Sequence, residues 1–149
     1  PGDVQVMSAG TGIRHSEYNH SQTEPVHFLQ IWVIPARTGI TPRYDQKTFT
    51  DDDKRAQLRL VLSGDGRDGS IVIHQDAAIY ASLLQQGETV SHRIEPGRKA
   101  WVQVLRGGVE VNDHALSAGD GASVDYESKL DITATGDATE LLLFDLPPS

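Results

Sequence analysis

The sequence has no cysteine, which excludes disulfide cross-links, thiolate metal sites and cysteine nucleophiles. Basic charge is scarce: 13 Lys and Arg stand against 21 Asp and Glu, a formal net charge of −8. No basic run offsets that balance, so neither nucleic acid nor an anionic membrane is expected as a direct partner. No apolar run is long enough to span a bilayer, and no signal-like segment opens the chain, so the expected location is cytoplasmic. Also missing are a G-x-S-x-G elbow, a P-loop and a dinucleotide fingerprint leading into a helix. The acidic, glycine-rich stretch Gly64–Gly69 lacks the spacing of a calcium loop and reads as a solvated turn. Any metal must therefore be held by histidine, carboxylate and water, ligands that suit iron, nickel, manganese, cobalt, copper or zinc.

What is present is a β rhythm. Turn signals recur every eight to twelve residues with β-branched runs between them, the pattern of an all-β sandwich or barrel. Val26–Ile34 reads as a strand apolar on both faces, ended by Pro35. Ala36–Tyr44, with Gly39 and Pro42, reads as an irregular connector and the best candidate for a domain boundary. Thr50-Asp51-Asp52-Asp53 is expected to cap a short helical turn around Lys54–Leu58. Strands are then predicted over 58–62, 70–74, 78–84, 89–94, 100–105, 109–111, 121–126, 130–134 and 140–146. Gly2-Asp3 and Gly119-Asp120 each form a turn feeding a strand, a weak internal repeat.

The sharpest chemical feature is His15-Ser16-Glu17. Residues two apart on a strand face the same way, so an imidazole and a carboxylate would share one space. They make half of a metal site, because a catalytic site needs three or four protein ligands with an open position. An isolated H-x-E is matched freely by chance, and a His beside a solvated Glu is the plain alternative. The flanking residues sharpen the reading. Gly2, then Ser8-Ala9-Gly10, then His15 with Asn19 four positions on, is similar to the second motif of cupins. Ser8 stands where proline is usual there, and the gap before His15 is two residues longer.

Those departures are the ones the pirin family shows. Pro1-Gly2-Asp3-Val4-Gln5-Val6-Met7-Ser8-Ala9-Gly10-Thr11-Gly12-Ile13-Arg14-His15-Ser16-Glu17 resembles the pirin segment P-G-x-x-Q-x-M-x-A-G-x-G-I-x-H-S-E. Gln30-Ile31-Trp32, Thr41-Pro42-Arg43-Tyr44 and the closing Leu142–Pro147 extend the likeness to the bacterial pirin-like quercetin 2,3-dioxygenases. The resemblance implies a bicupin of jelly-roll (double-stranded β-helix) sandwiches whose N-terminal domain binds one metal, commonly iron, through three His and one Glu. His15 and Glu17 match one His and the Glu; the other two His belong to an H-x-H pair upstream of the matched segment. Residues 1–44 are then the last part of the metal-binding cupin with its connector, and 45–149 a C-terminal cupin without metal ligands.

The implied activity is ring-opening dioxygenation of a flavonol or related enol with O₂, with Glu17 doubling as the base. A non-enzymatic binding or regulatory module with a redox-sensing metal is the rival reading. The remaining histidines read as structural: His27 lining a pocket or the core, His20 in a solvated loop, and His74, His92 and His114 too widely spaced for a site. Tyr80 and Trp101 read as core or interdomain packing. The chain opens on Pro1 rather than Met, which reads as a processing or expression boundary. With two ligands alone, weak metal affinity and low activity are expected, together with a strand-swapped dimer or association with the absent N-terminal segment.

Overall fold

A computed structural model describes residues 2–148; Pro1, which opens the motif segment, lies outside the described residues. Twelve strands fall into three sheets. β1 (Asp3–Ser8) and β2 (Arg43–Thr48) pair antiparallel as a two-stranded ribbon. A six-stranded sheet contains β3 (Arg59–Ser63), β4 (Ile71–Val72), β5 (Ala78–Leu84), β7 (Lys99–Arg106), β10 (Gly121–Val124) and β12 (Thr139–Leu146), in the order β10-β7-β12-β5-β3-β4. A four-stranded sheet holds β6 (Thr89–Arg93), β8 (Gly108–Val111), β9 (His114–Ser117) and β11 (Lys129–Ala134), in the order β6-β11-β8-β9.

The four- and six-stranded sheets pack face to face. Val90, Val109, Val111, Leu130 and Ile132 from one meet Val102, Val104, Leu141 and Leu143 from the other in a single buried cluster. The opposite side of the larger sheet is covered in part. Leu142, Phe144 and Leu146 pack against a second cluster around Phe49, Val61 and Ile79, to which Val4 and Val6 of β1 also contribute. Strand β12 therefore has apolar neighbours on both faces, which accounts for its near-continuous apolar run Leu141–Phe144.

Most of the predicted strands between 58 and 146 are present within one or two residues. The hairpin at Asn112-Asp113 has both residues at positive φ (43° and 69°), as a type I′ turn requires. Gly2 and Gly119, the turn residues of the internal repeat, share the same φ of 93° and precede β1 and β10. The short helix departs from expectation. Asp51–Lys54 form it themselves, with Thr50 as N-cap in a reciprocal capping box with Asp53.

The largest correction concerns Val26–Ile34, which is not a strand. No described residue completes a ladder with it; apart from the Ile34 carbonyl, which accepts from Gln75 Nε2, its N–H and C=O groups are left to water. Its apolar side chains are exposed accordingly, Trp32 at 86% and Ile34 at 83%. The whole stretch 9–42 lacks strand pairing. It meets the ribbon at Gly10, whose φ is 53° and where a Cβ would overlap the carbonyl oxygen of Ile40, so only glycine fits.

Candidate metal centre

His15 and Glu17 both stand on this unpaired stretch. They are not on a regular strand, as the two-residue spacing assumed, because the same lack of a neighbour applies here. The extended course of the chain still brings them to one side: His15 Nδ1 lies 4.0 Å from Glu17 Oε1, with both side chains about two-fifths exposed. Two ligands of one transition metal sit roughly 2.0–2.2 Å from it. A nitrogen and an oxygen 4.0 Å apart are thus close to the limit that one ion can bridge, and a small side-chain rotation would close the gap. The donor set fits such a metal in kind and supplies two positions. Among the described residues, no group of three or more His, Asp or Glu is arranged so that it could hold a metal ion.

Asn19, the motif's polar residue, does not orient His15. Its Nδ2 donates to the Glu24 carbonyl at 2.6 Å, and its Oδ1 accepts from the Ser21 N–H at 3.1 Å, so both ends serve a local turn. His20 and His27 are exposed, the first as expected and the second against the pocket-lining reading, since the segment around it has no neighbour to bury it. His114 opens β9 at the hairpin and bonds back to the Asn112 carbonyl. Trp101 is also partly solvent-facing rather than core, because inward positions of β7 are taken by Ala100, Val102 and Val104.

The most developed polar cluster lies elsewhere, and sequence reasoning missed it. His92 Nε2 hydrogen-bonds Asp145 Oδ2 at 2.9 Å, linking β6 to β12 across the two sheets. Arg98 binds the other Asp145 oxygen through Nε, and Tyr80 packs its ring on His92 with centroids 5.1 Å apart. Burial pushes the Asp145 carboxyl up, but the hydrogen bonds from His92 and Arg98 outweigh it and hold the group below the ordinary carboxylate range. The signal was in the alternation of β12: Leu141 and Leu143 point inward, so Asp145 must as well, and a buried carboxylate needs partners. An open cleft of about 680 Å³ borders this cluster, lined among others by Arg37, Arg67, His74, Arg98 and Asp145. It does not include His15 or Glu17.

Two facing, largely antiparallel sheets, an interior closed by alternating aliphatic residues and the motif-bearing N-terminal segment define a cupin. Residues 60–146 match the quercetinase C-terminal cupin domain, and residues 1–33 match the pirin domain. The chain belongs to the pirin family. It is 48% identical over 147 residues to a quercetin 2,3-dioxygenase of Escherichia coli K12, covering 99% of this chain and 62% of that protein. It is 39% identical over 145 residues to a pirin-like protein of Caulobacter vibrioides, again covering 62% of the relative. The crystal structure of YhhW from Escherichia coli superposes with a TM-score of 0.91 at 48% identity, over 99% of this chain and 62% of that one. A second structure, of the bacterial pirin YhhW in complex with nickel(II), gives the same TM-score of 0.91 at 47% identity. The chain thus spans 62% of the length of these relatives.

No helix among the described residues is long and apolar enough to cross a membrane.

Proposed function

We propose that this chain is part of a metal-dependent dioxygenase that opens the ring of a flavonol or related enol with O₂, with His15 and Glu17 as two of its metal ligands. The observation that carries the reading is the pairing of imidazole and carboxylate at 4.0 Å within a segment matched to the pirin domain. The naming of a 48%-identical relative as a quercetin 2,3-dioxygenase supports the reaction class. The nickel(II) complex of YhhW supports a divalent transition metal; iron is the family expectation, and nickel is equally compatible with the two donors.

A divalent metal held by His15 and Glu17 would supply a Lewis acid that lowers the pKa of an enol hydroxyl. Glu17, with its side chain about two-fifths exposed, would take the hydroxyl proton once its carboxylate loosens from the metal. His15 would supply an imidazole nitrogen as the second donor. Residues 1–44 act as the closing part of the metal-binding cupin and 45–149 as the C-terminal cupin. With His15 and Glu17 alone, the chain holds metal weakly.

Oxygen uptake by the metal-loaded full-length protein with quercetin tests this. Expected are uptake coupled to flavonol loss, its collapse in His15→Ala, and a fall in Glu17→Gln that exceeds any loss of bound metal. No uptake by a protein that carries its metal would refute the oxygenase reading in favour of a non-enzymatic module.

A further inference from the structure

The stretch 9–42 lacks a ladder, yet the chain leaving it is held at particular points. The Ala36 N–H donates to the His74 carbonyl at 2.8 Å, and Gln75 Nε2 donates to the Ile34 carbonyl at 2.8 Å. Arg43 Nη2 donates to the Val72 carbonyl at 2.8 Å, and Lys47 Nζ to that of Gly69. All four bonds join residues 34–47 to one short run of the sandwich, Gly69–Gln75. That run is β4 with its flanking loops, the outermost strand of the six-stranded sheet. An edge of two residues has little ladder of its own to keep its loop in shape.

The next residue, Asp76, is where the loop is gripped. Arg98 Nη1 lies 3.1 and 3.0 Å from the two Asp76 carboxylate oxygens. The same guanidinium reaches Asp145 through Nε to the side chain and through Nη2 to the main-chain carbonyl at 3.3 Å. Asp145 in turn holds His92 of the opposite sheet at 2.9 Å. One planar fork thus spans two carboxylates through separate nitrogens held in a fixed geometry, which the single nitrogen of an ammonium does not reproduce. The Asp145 end is sheltered, with that side chain 11% exposed, while the Asp76 end is open at 72%.

We propose that Arg98 is a positioning residue. It clasps Asp76 so that the His74–Asp76 loop keeps the shape that receives the connector at Ile34–Ala36. Through that seat it fixes how the segment carrying His15 and Glu17 leaves the sandwich, whether or not those two hold a metal. The competing role is a general staple between sheets, and the two branches of the fork separate them. Asp76→Asn weakens only the loop branch and leaves Asp145, His92 and the core untouched.

The test is amide hydrogen exchange of the whole chain, read at Ala36 and at amides of β5, β7 and β12. Asp76→Asn should speed exchange at Ala36 tenfold or more while the strand amides keep their rates. Arg98→Lys should do the same at Ala36, because the ammonium retains one carboxylate and loses the other. The proposal is overturned if Ala36 exchanges equally in wild type and Asp76→Asn, or already at its free-chain rate in wild type. Equal acceleration through all three strands in Asp76→Asn would overturn it too, in favour of the general staple.

Discussion

Strand β12 runs between β5 and β7 with Leu141 and Leu143 fully buried, whereas Val26–Ile34, just as apolar, lies open with Phe28, Trp32 and Ile34 facing solvent. Both segments are rich in large apolar side chains, and Val26–Ile34 holds more β-branched residues than β12, so intrinsic strand propensity does not favour β12. Neighbours do. β12 has a ladder on each edge and a packed layer on each face, while the other segment has neither among the described residues. A strand-like sequence becomes a strand only where another part of the molecule meets its backbone and covers its side chains.

Truncation at the two places should differ most in effect. Leu143→Ala should lower unfolding stability in urea by about 2–5 kcal/mol, the cost of lost burial plus a cavity. Ile34→Ala should change it by less than about 0.5 kcal/mol, as an exposed site away from special features does. Similar losses at both positions would mean that Val26–Ile34 is buried in solution and would erase the contrast.

The polar node on β12 comes next. Asp145→Asn should cost about 1.5–3 kcal/mol, since it weakens two hydrogen bonds involving a charged group. Its pH dependence has a definite sign. The folded-state pKa of Asp145 is depressed, so its contribution is present above the unfolded value, about 3.9, and fades as pH falls through the lower folded value. The wild-type and Asp145→Asn stability curves should therefore converge as pH drops below about 4, as followed by urea melts between pH 6 and 3. Parallel curves over that range would contradict this assignment.

A smaller effect is expected at the start of the sandwich. Thr50→Ala removes the cap of the helical turn and should cost about 1 kcal/mol. The two tryptophans sharpen the comparison without a change in stability. Trp32, at 86% exposure, should be quenched by acrylamide more strongly than Trp101, at 39%, when each is studied with the other replaced by Phe.

The sandwich was legible because its strands alternate around inward aliphatic positions and its turns carry Gly, Asn or Asp where positive φ is needed. β2, with the sequence RYDQKT, and β9, with HALS, were not, because edge strands facing water need no apolar face. After β11 the positive φ falls on Ala138 rather than on the nearby Gly136. The motif singled out His15 and Glu17, but the strand that their spacing assumed is absent, and only the extended course of the chain brings them within 4.0 Å. The Asp76–Arg98–Asp145–His92 chain was not, since its members are 22, 47 and 53 residues apart and only the fold joins them.

The most direct test of the account is substoichiometric Ni²⁺ added to isotope-labelled protein, watching which backbone amides broaden. The half-site predicts that Ser16 and Glu17 broaden first and that His15→Ala abolishes the effect there. Broadening centred on His20 or His114, with residues 15–17 untouched, would contradict it.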